Sequence, residues 1–320
     1  MNAQRARLPD GRWHFQHGPI DIVIGAEGEA RAVAAAHQAA WQRMQTVLGE
    51  LVAELPALRR AICAPLPLAP SALYPGERAG VRGTGAANPL HGAIARRMWS
   101  ACAPYAAQFI TPMAAVAGAV AQELIAAYER KGIQRAWANN GGDIALHLAA
   151  GASVRVGLFA DLARFDPSDG AVHTDGHFDV LAADPVRGIA TSGWRGRSFS
   201  LGIADSVTVL ARTAAQADAA ATVIANAVDA DDPRIERRPA NQIKDDSDLG
   251  DVRVTVDVPP LGADVVRRAL RSGERCAREL QRAGLIVAAV LVCQRQALRV
   301  EGPALTAPAT SRPELGSVFA

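Results

Sequence analysis

The sequence predicts an α+β fold, with helices packed on one face of a largely antiparallel sheet. Three observations carry this. Strand and helix signals are interleaved without the regular alternation of a parallel sheet: a strand, helices, several strands, a helix, a strand, a helix and a strand. The strand signals between Asp143 and Leu158 lie close enough to be hairpins. The helical stretches place apolar residues at three- and four-residue steps, as a helix lying on a core requires.

The elements are predicted in order. Ile20–Gly25 (IDIVIG) is an apolar strand, and Gly28 to about Leu55 is a long helix with Val33, Ala36, Ala40, Met44, Val47 and Leu51 on one face. Pro56 ends that pattern. The stretch from Cys63 to Gly92 is rich in Pro and Gly, has no period and reads as a long loop. Thr111 as N-cap and Pro112 at the first helical position open a second helix, closed near Lys131–Gly132. Strands follow at Arg135–Ala138, Asp143–Ala149, Ser153–Leu158, Phe178–Ala182, Ile189–Thr191 and, most clearly, Ser206–Ala211 (SVTVLA). Ala214–Val228 is a third helix, Val252–Val258 a strand with one wet face, and Leu261–Ala283 a fourth helix with Val265, Ala269, Cys276 and Leu280 inward. Leu285–Cys293 is a buried strand, and the Pro-containing tail after Glu301 is loose. No linker divides the chain, so residues 1–320 read as one domain.

Composition excludes some classes of function. Apolar residues make up 49% and charged residues 21%, as in a globular protein rather than a disordered one. With 34 Lys and Arg against 32 Asp and Glu, the net charge of +2 gives no overall field for nucleic acid or a membrane surface. The longest apolar runs, Met113–Ala121 and Leu285–Cys293, are too short to span a bilayer, and the arginine-containing start has no apolar segment behind it. The four cysteines (Cys63, Cys102, Cys276, Cys293) are scattered, as expected of reduced thiols. A cytoplasmic protein is the expectation.

Candidate chemistry lies in three places. In WANNGGDIAL, Asn140, Gly141, Gly142 and Asp143 combine polarity with backbone freedom. The segment suits an Asn-Gly hairpin turn, and it equally suits a backbone that approaches a nucleotide. In GIATSGWRGRS, Thr191, Ser192 and Gly193 supply hydroxyls and a flexible backbone. Arg195 and Arg197 supply charge for a phosphate, or are solvated arginines of a turn. In the almost wholly apolar AAQADAAATVIANAV, Asp218, Thr222 and Asn226 recur every fourth residue and form one polar line. That line is either the solvent face of the helix or a set of hard oxygens for a cation such as Mg²⁺. A solvent face usually carries Lys or Glu, and this one carries neither. His173 and His177 (HTDGH) and the acidic DDSDLGD (Asp245–Asp251) are poor matches to zinc and calcium sites, and GxSxG, P-loop and well-formed GxGxxG motifs are missing.

Taken together, NNGGDIAL, ATSG, SVTV and ADAAAT, in that order, resemble the motifs of the ApbE-like superfamily, best known for FAD:protein FMN transferases. QFITPMAAVAGAVA, NNGGDIAL, TSGWRGRSFSLGIADSVTVLA and ADAAATVIANAV are similar to a prokaryotic branch of that superfamily, over about Ile20 to Val292. The resemblance implies a duplicated tunnelling fold, with helices on a curved antiparallel sheet. It implies FAD and Mg²⁺ as cofactors, a nucleotide as small-molecule ligand, a flavoprotein as acceptor, and a closed homo-oligomer. Carried over by position, Gly141, Gly142 and Asp143 lie by the nucleotide, Thr191, Ser192 and Gly193 line the flavin-side pocket, and Asp218 and Thr222 hold the metal; Asn140 joins the cofactor-binding set, and Arg195 or Arg197 offsets phosphate charge. One departure stands out. The transferases carry a His-x-x-Asp-Pro-x-Thr-Gly segment before SVTV, whereas here GRSFSLGIAD runs straight into it, leaving only Asp205 nearby. The resemblance therefore leaves open a Mg-dependent, transferase-type enzyme, a flavin- or pterin-binding delivery protein, and a different enzyme on the same fold.

Overall fold

The computed structural model describes residues 2–62, 88–158, 176–196, 198–245, 247–302 and 317–319, the last three by backbone alone. Cys63, most of the Pro- and Gly-rich stretch, His173, Arg197 and most of the tail lie outside the described residues. In chain order the elements are β1 (Gln4–Arg7), β2 (Trp13–His17), β3 (Ile20–Gly28), α1 (Ala30–Ala53), α2 (Leu55–Leu58), α3 (Ala93–Cys102), α4 (Val116–Ile125), β4 (Ile133–Asn140), β5 (Asp143–Leu148), β6 (Ser153–Leu158), β7 (Gly176–Leu181), β8 (Gly188–Ser192), β9 (Ser206–Ala211), α5 (Ala214–Ala227), β10 (Glu236–Pro239), β11 (Arg253–Asp257), α6 (Ala263–Arg282), β12 (Ala288–Cys293), β13 (Gln296–Val300) and β14 (Ser317–Phe319).

A nine-stranded sheet runs in the order β1-β2-β3-β4-β5-β8-β9-β12-β13, every neighbouring pair antiparallel. It is an open sheet, with β1 and β13 as its edges. Two stretches of it are alike in outline: the hairpin β2–β3, helices α1 to α4, the hairpin β4–β5; then the pair β8–β9, helices α5 and α6 with the separate two-stranded sheet β10–β11 between them, and the hairpin β12–β13. The helices cover one face and bury the larger core. The opposite face carries Trp137, Ile144, Leu146, Ile189 and Leu210, packed against Val154, Val156, Phe178 and Val180 of β6 and β7. Because β9 lies mid-sheet with both faces covered, all six of its residues are buried: Val207, Val209 and Ala211 join the helical core, Leu210 the other.

Several local expectations shift. The helix predicted from Thr111 begins as a 3-10 turn at Pro112–Ala115 and becomes α-helical only at Val116. The Thr111 hydroxyl makes no cap hydrogen bond; its Oγ1 is turned toward Asp248 and donates to Oδ2 at 2.6 Å, a charge-assisted bond that fixes the side chain there. α6 buries Val266, Ala269, Leu270, Gly273 and Ala277, with Cys276 and Leu280 partly buried against the same core; Val265 stands beside that face. The strand expected from Leu285 begins at Ala288. β1, β2, α3, β10 and β13 were not predicted. β1, β2 and β13 are short strands that the neighbouring strands hold in hairpins, the polar β10 is held by β11, and α3 buries Ile94, Ala95, Met98, Ala101 and Cys102 in the core. Part of the tail returns as β14, in parallel with β6.

Candidate functional site

The stretch WANNGGDIAL forms a hairpin. Asn140 pairs with Asp143 across a two-residue turn in which Gly141 and Gly142 both have positive φ (67° and 110°), the backbone that primed turns require. The turn is tied down from both sides: Asn139 Oδ1 accepts from Gly142 N at 2.8 Å, and Asn140 Nδ2 donates to the Ala117 carbonyl at 3.0 Å. Asp143 opens β5 and is buried, its Oδ1 accepting from Thr191 N on β8 at 3.3 Å.

α5 is predominantly alanine because it is packed on nearly all sides, against α3, α4, α6, β8 and β9. Its polar line is therefore not a solvent face. Asp218 Oδ2 accepts from Gly118 N on α4 at 2.9 Å. The two helices approach so closely that a Cβ on Gly118 would lie 2.3 Å from Ala214 O and 2.9 Å from Asp218 Cβ. Asn226 is committed to the scaffold, its Oδ1 accepting from Leu201 N at 2.9 Å and Ser200 Oγ at 3.2 Å. Asp218 and Thr222 instead face a cavity of about 710 Å³.

That cavity joins Asn140, Gly141 and Asp143 from one hairpin, Thr191, Ser192 and Gly193 from β8 and its end, and Asp218 and Thr222 from α5. Its other wall is aliphatic: Leu48, Leu51, Leu55 and Leu58 from α1 and α2, with Met113, Val116 and Val120. A smaller chamber of about 280 Å³ shares Asp143, Asp218, Thr222, Arg59 and Lys244 with it and continues toward Ser247 and Asp248. Both chambers therefore meet at the two carboxylates. Exposed apolar side chains of Val52 and Phe109 border them.

The electrostatics at this junction are unusual. Burial, then the neighbouring Asp218, pushes Asp143 well above the usual carboxylate range, against a smaller opposing effect from the Thr191 amide. Burial raises Asp218 too, although the Gly118 and Ala117 amides favour its charged form. Two neighbouring carboxylates, one buried and one half-buried, favour keeping a proton or receiving a cation. Among the described residues no three His, Cys, Asp or Glu side chains gather to hold a metal, so any cation here relies on the two carboxylates, a hydroxyl and water.

Gly142 and Arg195 stand apart from the cavity lining. Arg195 is exposed and stacks over the Trp194 ring at 4.8 Å. Asp205 belongs to the scaffold: its Oδ1 accepts from Trp194 Nε1 at 3.3 Å and its Oδ2 from Gln294 N at 2.5 Å. The cations at the cavity are Arg59 and Lys244, which no motif flagged. They come from the end of α2 and from an irregular segment after β10, and only the tertiary fold brings them to the carboxylates. Burial raises the described thiols Cys102, Cys276 and Cys293, and a neighbouring carboxylate adds to the rise at each, Asp218 in the case of Cys102.

Fold and site together define an α+β protein whose helices and antiparallel sheet form an aliphatic cavity ending at two carboxylates, Asp143 buried and Asp218 half-buried. The chain belongs to the family described as "AbpE bacteria", whose model matches residues 5–301, and so to the ApbE-like superfamily that its motifs resemble. Relatives include a UPF0280 protein of Methanospirillum hungatei, 42% identical over 118 residues (37% of this chain, 45% of that one). Another, from Methanopyrus kandleri, is 38% identical over 154 residues (48% and 56%). The chain spans about half the length of the curated relatives it matches. The apo form of the Pseudomonas stutzeri flavinyl transferase ApbE matches over 94% of each chain at 13% identity, with a TM-score of 0.39.

Proposed function

We propose that this protein binds a flavin nucleotide, FAD in the first place, together with Mg²⁺, and uses both in transferase-type chemistry on the flavin. The observation that carries the reading is the junction itself. An aliphatic chamber of a size that suits a small-molecule ligand ends at Asp143, Asp218 and Thr222, with Arg59 and Lys244 alongside. A flat heterocycle belongs against Leu48, Leu51, Leu55 and Val116, and a charged pyrophosphate belongs at the cations and the junction.

The donor set fits Mg²⁺. Carboxylates and a hydroxyl are hard oxygens, and a divalent cation relieves the repulsion between Asp143 and Asp218. Asp218 and Thr222 hold the ion, and Asp143 contributes charge or, while protonated, a hydrogen bond. When bound, Mg²⁺ supplies positive charge against phosphate oxygens. Arg59 and Lys244 orient the phosphates, the aliphatic wall excludes water, and the Gly141 turn lets backbone come close to the ligand. The repeated hairpin–helices–hairpin order supports the duplicated tunnelling arrangement, and with it a closed homo-oligomer is part of the proposal.

A second reading, binding and delivery without reaction, has one observation in its favour. The segment 193–205 holds neither His nor Asp-Pro, and Asp205 is engaged in the scaffold. Titrating metal-free protein with FAD, with and without Mg²⁺, tests the site. Mg²⁺-dependent binding that is lost in Asp218→Ala supports it; no binding under either condition overturns the flavin reading. Release of AMP from FAD then separates transferase from carrier.

A further inference from the structure

A second concavity lies at the opposite end of β4 and β5 from the glycine turn. It is a cleft of about 700 Å³, walled by the end of α4, the turn Glu129–Gly132, the last residues of β5, and the turn that joins β9 to α5. Its floor is apolar, formed by Ile125, Ile133, Ala145 and Leu146. Its rim is cationic. Arg130, Lys131 and Arg212 are exposed, and their side chains have no hydrogen-bond or ion-pair partner among the described residues; Glu129 lines the cleft, and the Glu29 carboxylate lies against Gly132 in its wall. Arg187 completes the wall. Its guanidinium is already bound to the carbonyls of Ala182 (2.7 Å), Asp184 (2.9 Å) and Val186 (2.6 Å), so it shapes the cleft and leaves three cations for a ligand.

Such charge segregation does not follow from the composition, since the whole chain carries only +2. The first turn of α5 is not what attracts a ligand here, because its amides already have partners: Thr213 Oγ1 accepts from Gln216 N at 3.3 Å and Gln122 Oε1 from Ala215 N at 3.4 Å. The side chains do that. Two guanidinium groups and an ammonium around one opening match a phosphate dianion, and an apolar floor beneath them accepts an uncharged body attached to it.

We propose that this cleft is a second binding site, for a phosphorylated small molecule, distinct from the cavity at Asp143 and Asp218. The two sites stand back to back across one turn of α5: Ala214 lines the cleft, and Asp218, about 6 Å further along the helix, lines the cavity. The proposal stands whether or not that cavity takes a flavin.

Hydrogen–deuterium exchange of the full chain, titrated with AMP and in parallel with uncharged adenosine, tests it. AMP is expected to protect peptides covering 129–134 and 212–216, and adenosine is not. In Lys131→Ala/Arg212→Ala, which alters only exposed side chains, the AMP concentration needed for that protection rises about tenfold or more. In Asp218→Asn it is unchanged. If AMP protects only peptides at the carboxylate cavity, or protects the cleft of the double variant as well as that of the natural protein, the proposal fails.

Discussion

Asp143 and Asp218 are the residues on which the site turns, and their titration can be read from stability. Both carboxyls are raised in the folded chain, so between the ordinary carboxylate range and about 7 the native state binds more protons than the unfolded one. Stability of the metal-free protein therefore falls as pH rises through that window. Melting curves between pH 4 and 8 are expected to show this fall, and Asp143→Asn or Asp218→Asn to flatten it. A melting temperature that rises across the window would contradict it. Mg²⁺ has the opposite sign, stabilising more at the alkaline end, where the carboxylates are free to bind it. Arg59→Ala and Lys244→Ala are expected to weaken FAD by about tenfold each while leaving riboflavin, which has no phosphate, nearly unchanged. Equal losses for both ligands would place these cations elsewhere in the mechanism. Asp143, Thr191, Asp218 and Thr222 were legible as candidates because polar residues in apolar or glycine-rich segments need a reason. Arg59 and Lys244 were not, because nothing around them in the chain differs from any solvated cation.

At the scale of elements, the contact between α4 and α5 places Asp218. Gly118 lets the helices touch, and its amide holds the carboxylate. Gly118→Ala must push the backbone of Ala214 away. The expected cost is about 1–3 kcal/mol, seen as a lower melting temperature, together with weaker Mg²⁺ binding as Asp218 moves. A variant of natural stability and affinity would show that the helices separate freely. The spacing of Asp218, Thr222 and Asn226 was visible as a line, but a line has no direction until its neighbours are known. The burial of the surrounding alanines turned it toward the cavity, and Asn226 then became a scaffold residue. The hairpin at Gly141–Gly142 needed no such choice, since one turn both closes two strands and presents Asn140 and Asp143. The helix expected from Thr111 was misjudged for a related reason: Asp248, 137 residues away in sequence, takes its hydroxyl.

At the largest scale, the proposed ligand and metal would act on one core. The two carboxylates lie where β5, β8 and the α4–α5 contact converge, so FAD with Mg²⁺ is expected to raise the melting temperature more than the sum of either alone, by linkage. Additive shifts would point to separate sites. No helix among the described residues is long and apolar enough to cross a membrane. The sequence by itself determined the class of fold, most of the long elements and the order of the motifs, since periodicity, turn residues and polar residues within apolar runs are local properties of a chain. It also showed what is missing, the His and Asp-Pro before SVTV. Only the packed molecule shows which residues of α5 line the cavity, that Arg59 and Lys244 join the carboxylates there, that Arg195 does not, and that three cations ring a second cleft. Each of these depends on where groups far apart in sequence come to lie in space, and a pattern read along the chain holds no such distances.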